Sequence, residues 1–167
     1  AAVARVAKAP ADGSVFYATT PTYIQTTLMS KTEFGYDSLD PVVTVFLDPE
    51  VIYTRAESPF KTLTDAVNHA KQSPGRGKWG AASPGSLERI ALERMSKLSG
   101  ARATVVPHDG GGDMLINVLN GTLDIGVGEV QEIYSQLETK KVRLLGALTE
   151  KRIDRLPDIQ TAREQGM

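Results

Sequence analysis

From residue 14 onward, short apolar runs alternate with amphipathic segments, each pair punctuated by Gly, Pro or Ser, and this rhythm constrains the fold more than any other feature of the chain. Apolar runs of strand length bury both faces, whereas amphipathic runs bury one stripe. A chain that alternates them satisfies both by building βα units. Repetition of such units predicts an α/β fold, a mostly parallel sheet flanked by helices on both faces.

The expected elements follow from the residues. Val15-Phe16-Tyr17-Ala18 has the composition of a buried strand, and the Pro of Thr19-Thr20-Pro21-Thr22 suits the first turn of a helix running to Met29. Strands are expected at Val42 to Leu47 and Val51 to Thr54. Leu63, Ala66, Val67 and Ala70 fall at i, i+3, i+4 and i+7, a helical stripe that Ser73-Pro74-Gly75 stops. Lys78 to Ala82 leads through Ser83-Pro84-Gly85-Ser86 into a helix with Leu87, Ile90, Ala91, Met95 and Leu98 on one face, closed by Gly100. Ala103 to Val106 reads as a strand, Pro107 to Gly112 as a Gly-rich loop, and Asp113 to Leu119 as a helix capped by Asn120-Gly121. A strand from Asp124 to Val127, a helical stripe of Val130, Ile133, Tyr134 and Leu137, and a strand from Val142 to Leu148 complete the series. Ahead of it, Ala1 to Ala9 is a strong helix former without an N-cap, ended by Pro10, and reads as the last turns of a longer helix.

Charge and composition narrow the function. The 167 residues suffice for one compact domain or slightly more, and 19 basic against 20 acidic residues, spread along the chain, advertise no face for nucleic acid. With no cysteine, thiolate catalysis, disulfides and Cys-ligated zinc are excluded. No apolar run approaches the roughly 20 residues of a membrane helix, and the start lacks the layout of a signal peptide. The chain is expected to be soluble, already processed or trimmed, with no direct membrane insertion.

Sheets of this kind bind ligands outside the carboxyl ends of their strands, where loops enter helix N-termini. The loops at 82–86, 107–113 and 127–130 are therefore the expected site, and the first two can turn backbone N–H groups toward an anion. Ser83-Pro84-Gly85-Ser86 is not a Gly-x-Ser-x-Gly nucleophile turn; Ser83 reads as a helix cap with Pro84 at the first position, or as part of an anion cradle. His108 and Asp109 are adjacent on an extended segment and point opposite ways, so they form no dyad with each other. A histidine here hydrogen-bonds locally or touches ligand. Gly110-Gly111-Gly112-Asp113 lacks the Lys-Ser/Thr of a phosphate loop and is not a dinucleotide fingerprint, leaving a flexible turn or a ligand contact, with Asp113 favouring the helix N-terminus that follows. Glu129 opens a helix, where a carboxylate suits the dipole and can also face a cation. Only His69 and His108 are available to a metal, without carboxylates at ligand spacing, so neither metal nor cofactor is expected. Trp79 reads as core.

In order along the chain, several segments resemble the receptors of tripartite tricarboxylate transporters, the TctC-like or Bug-type family. Ala9-Pro10-Ala11-Asp12-Gly13-Ser14-Val15-Phe16 is similar to their A-x-P-D-G-Y-T-L, Phe34 to Val42 to Y-D-P-x-x-D-F-x-P-V, and Ser58 to Leu63 to S-P-x-K-T-L. Gly80 to Ser86 resembles Y-A-S-S-G-x-G-S, Val106 to Gly111 resembles V-P-Y-K-G-G, Asn120 to Asp124 matches x-G-x-V-D, and Arg143 to Gly166 resembles the closing L-P-D-V-P-T-x-x-E-x-G stretch. The resemblance implies a type II periplasmic-binding-protein fold, with residues 50–142 as one complete lobe, 1–49 as part of the other, and 143–167 returning into that other lobe. It implies a fragment of a longer protein, a periplasmic solute receptor that is no enzyme, closing on a small organic acid in an interlobe cleft and delivering it to membrane permease subunits. Carried over residue by residue, the binding loops are Thr19, Thr20 and Thr22 from the first lobe, with Ser83, Gly85, Ser86, His108, Gly110, Gly111, Gly112, Asp113 and Glu129 from the second.

Departures from the family pattern carry information. A tyrosine and lysine of the family stand here as His108 and Asp109, and its Asp-Asn pair as Gly128-Glu129. The added negative charge argues against a plain dicarboxylate and admits an amino-bearing or less acidic ligand. Two other functions fit the fold class: the effector-sensing domain of a transcription regulator, and a hydrolase using Ser83 or Ser86 with His108.

Overall fold

The structure is a computed structural model that describes residues 2–83 and 85–167, and the chain divides into two compact units, Ala1–Leu47 with Gly85–Leu87 and Asp48–Pro84 with Glu88–Met167. Helix α1 (Ala2–Ala7), helix α2 (Thr22–Met29) and a 3-10 turn at Tyr36–Ser38 belong to the smaller unit, and none of their residues is buried. Lys8 pairs with Glu33 at 2.9 Å and lies 5.3 Å from the centre of the Phe34 ring, while the Tyr23 hydroxyl donates to the Tyr36 carbonyl at 3.1 Å.

Two strands expected in this unit do not form. Val15 to Ala18 is irregular, with Phe16 67% exposed, and Val42 to Leu47 is irregular and exposed throughout. β-Branched and apolar residues give a segment the capacity to be a strand, but a ladder also needs a partner offering N–H and C=O groups. The described residues of this unit supply no such partner.

In the larger unit, β1 (Glu50–Arg55), β2 (Lys78–Ala81), β3 (Thr104–Pro107), β4 (Ile125–Glu129) and β5 (Val142–Ala147) form one sheet in the order β3-β2-β4-β1-β5. Strand β2 pairs parallel with β3 and β4, whereas β1 runs antiparallel to β4 and β5. Four strands thus point one way and β1 alone is reversed, so the sheet is mostly parallel, as expected.

Helices cover both faces. Ile52, Trp79, Ala81, Ile125 and Val127 turn to one face and pack with Leu63, Ala66, Val67 and Ala70 of α3 (Leu63–Gln72) and Leu92 and Met95 of α4 (Leu87–Ser99). Val51, Tyr53 and Leu144 turn to the other, against Met114 and Val118 of α5 (Gly111–Leu119) and Ile133 of α6 (Val130–Glu138). A strand's period of two sends neighbouring residues to opposite faces, which is why Val51, Ile52 and Tyr53 are all fully buried. Helix α3 begins with a complete capping box between Thr62 and Asp65. Trp79 is core, as read.

The face of α4 differs from expectation. Leu92 and Met95 are buried, but Ile90 is 46% and Leu98 68% exposed. The apolar arc of this helix is wider than its contact with the sheet, and the contact takes the edge on which Ser96 donates to the Ala101 carbonyl at 2.8 Å. Among the described residues, no helix is long and apolar enough to cross a membrane.

Candidate functional site

Because β2, β3 and β4 are parallel, their carboxyl ends share one edge of the sheet, and the reversed β1 brings its first residue there, Glu50 opposite Glu129. The N–H of His108 donates to the Ala81 carbonyl at 2.9 Å, extending the ladder one step past β3. Its ring then turns to α5, where Nδ1 meets Asp113 Oδ2 at 2.7 Å. A carboxylate on Nδ1 fixes the orientation of the ring and leaves Nε2 as the nitrogen open to another partner. The side chain is only 9% exposed, and Nε2 is buried without a hydrogen-bond partner among the described residues. The local hydrogen bond expected of His108 is therefore present, made to Asp113 and not to adjacent Asp109.

Gly110 precedes α5 in extended backbone and its carbonyl accepts from Met114 N–H at 3.2 Å. At Gly111 a β-carbon would coincide with the Glu132 carboxylate, so any larger residue there would push that side chain aside. Gly110 and Gly112 have open space where a side chain would go.

Carboxylates dominate the rest of the edge. Glu129 ends β4 and caps α6 by position, and Glu132 follows one turn later with its Oε2 3.0 Å from the β-carbon position of Gly128. Burial raises the Glu132 carboxyl, and the charge of Glu129, a hydrogen bond between those two carboxyls, Glu88 and Asp48 add to the shift. Glu50 is pushed up to about 7, by burial first and then by Glu88, Glu129 and Asp48. The charges acting on both groups are all acidic. Beneath them Tyr53 is fully buried, its hydroxyl lacks a partner among the described residues, and burial followed by the Glu132 charge raises its phenol.

The predicted residues separate by unit. His108, Gly110, Gly111, Gly112, Asp113 and Glu129 come together on this edge. Ser83 follows β2 and is exposed, and Pro84 lies outside the described residues. Helix α4 starts at Leu87, so the residue before it is Ser86, 4% exposed, and Ser83 is not its cap. The helix thus starts later than the reading from Pro84. Gly85 and Ser86 belong to the smaller unit with Thr19, Thr20 and Thr22; Thr19 donates to the Thr20 carbonyl at 3.2 Å and Thr22 begins α2. Sequence reasoning missed Asp48, Glu50, Glu88 and Glu132. The i, i+3 spacing of Glu129 and Glu132 at a helix start was a usable signal, whereas Glu50 reaches the edge only through the β1–β4 register.

No group of three or more His, Asp or Glu among the described residues is arranged to hold a metal ion. A cavity of about 270 Å³ lined by Lys61, Thr62, Arg152 and Gln165, and a second of about 430 Å³ beside Leu137 and Arg143, share no residue with the candidate loops.

A family profile described as "Tripartite tricarboxylate transporter family receptor" matches residues 1–167. Among curated proteins, a UPF0065 protein of Pseudomonas sp. strain P51 is 28% identical over 165 residues, covering 95% of this chain and 48% of that protein. Another, from Bordetella pertussis, is 26% identical over 133 residues, 80% of this chain and 41% of the relative. Among solved structures, an R. palustris protein solved with adipate is 28% identical with a TM-score of 0.83, over 99% of this chain and 56% of that one. A TctC solute-binding protein from Polaromonas shares the fold, at 22% identity and a TM-score of 0.75 over 88% of this chain and 50% of that one. The chain spans about half the length, or less, of the curated relatives it matches.

Proposed function

The chain belongs to the tripartite tricarboxylate transporter receptor family, a family of solute-binding receptors and not of enzymes, and on that premise we propose that it captures a small organic acid and delivers it to the membrane subunits of a transporter of that type. The acid, a carboxylate or an amino acid, is taken on the extracytoplasmic side, by the loops after β3 and β4. The observation that carries this reading is His108. Its ring is oriented by Asp113, and its Nε2 is a buried polar atom without a partner among the described residues, beside the glycines that open α5. Buried polar atoms are nearly always hydrogen-bonded, so one held in fixed orientation at a loop edge is matched to a ligand. The R. palustris relative solved with adipate supports the ligand class.

A thermal-shift screen of the intact gene product against organic acids and amino acids tests the reading. A ligand at hundredfold excess over its Kd stabilises by about 2.7 kcal/mol, a rise on the order of 5–10 °C for a domain of this size. At least one acid is expected to give such a rise, and His108→Ala and Gly111→Val are expected to abolish it. Silence from every acid, or an undiminished shift in both variants, contradicts the assignment.

A further inference from the structure

We propose that Glu50, Glu129 and Glu132 form an ammonium subsite, so that the acid this receptor captures carries a protonated amine. The inference rests on the receptor reading above and adds the charge of the ligand.

The three carboxylates come from β1, the end of β4 and the first turn of α6. Glu50 and Glu129 are direct partners across the antiparallel pair, and Glu132 stands one helical turn from Glu129. Like charges directly opposite on a sheet repel, and Glu88 of α4 and Asp48, just ahead of β1, add to the same field. The α5 side contributes Asp113, whose carboxylate is already engaged with His108. An anion brought to this edge meets like charge, whereas an ammonium meets acceptors.

Glu132 also decides what the start of α5 can hold. Its carboxylate lies where a β-carbon of Gly111 would be, so the first turn of that helix already faces an anion supplied by the chain. A ligand carboxylate is thereby excluded from this place, and a ligand N–H is admitted.

A second, independent feature points the same way. The Tyr53 hydroxyl is fully buried with no partner among the described residues, and lies 2.8 Å from the β-carbon position of Gly126. Gly128, two residues along the same face of β4, carries the Glu132 carboxylate at 3.0 Å from its own β-carbon position. The phenolic oxygen and the carboxylate thus sit one pleat apart on a glycine floor, and the charge of Glu132 reaches the phenol. An ammonium has three donors and no acceptor, and this floor offers a neutral acceptor beside anionic ones.

Isothermal titration of the intact gene product with matched pairs, succinate and aspartate, glutarate and glutamate, adipate and 2-aminoadipate, tests the proposal. In at least one pair the amino member is expected to bind about tenfold tighter or more. Glu129→Gln/Glu132→Gln, checked for native circular dichroism, is expected to lose that preference, the amino member of the pair weakening about tenfold or more toward the affinity of its amine-free partner. Should the amine-free acids bind wild type as tightly as their amino partners or tighter, the ammonium subsite is refuted and the receptor reading stands. Binding of neither class overturns the receptor reading and this proposal together.

Discussion

Replacing Glu50 with glutamine is expected to stabilise the protein near pH 8 and to change little near pH 5. The Glu50 carboxyl rises from 4.5 to about 7 on folding, because burial and the neighbouring carboxylates disfavour its charge. Between those two values the unfolded chain has released the proton and the folded chain still holds it. Stability therefore falls as pH rises from about 4.5 through about 7, and the loss is complete above the folded value. At about 1.36 kcal/mol per unit the gross loss is roughly 3 kcal/mol, which the partial exposure of Glu50 to solvent reduces to about 1–2 kcal/mol. Glutamine has no proton to lose and keeps the shape. Thermal unfolding of both proteins, measured in steps from about pH 5 to about pH 8, should show the two melting points diverging by roughly 2–8 °C at the alkaline end. Asp12, Asp65 and Glu164, whose carboxyls are lowered by hydrogen bonds, lose their stabilising contribution only as pH falls through those lowered values, below this window. A variant no more stable than wild type near pH 8, or a difference that does not grow with pH, would refute the account of the acidic edge.

Three further substitutions probe separate parts of the larger unit. Thr62→Ala removes the capping box of α3 and should cost about 1 kcal/mol in urea denaturation, with an unchanged m-value. Tyr53→Phe deletes a buried hydroxyl that has no partner among the described residues and should be neutral or stabilising by up to about 1 kcal/mol in the ligand-free protein; a marked loss would mean the hydroxyl is satisfied. Gly126→Ala places a β-carbon 2.7 Å from the Tyr53 ring and should destabilise by about 1–3 kcal/mol, and the Tyr53→Phe background should not rescue it because the ring carbon remains.

The fold was legible where burial alone sets the pattern. Leu63, Ala66, Val67 and Ala70 announce α3 because one stripe meets one sheet face, and all four are buried. The direction of β1 was not legible, since a strand buried on both faces shows the same apolar run whichever way it points. That reversal is what carries Glu50 to the edge where Glu129 and His108 lie, so its place beside them stayed hidden in the sequence. Val15 to Ala18 and Val42 to Leu47 failed as strands for a related reason: residue type gives propensity, and pairing supplies the rest.

The central claim, reversible capture of a small acid without chemistry on it, is tested most directly by equilibrium dialysis of the intact gene product against the acid that stabilises it most, followed by mass spectrometry of the recovered ligand. Saturable binding of one ligand per chain, with the ligand recovered unchanged, is the predicted result. Absence of saturable binding, or recovery of a cleaved or modified acid that His108→Ala protein leaves intact, would contradict it.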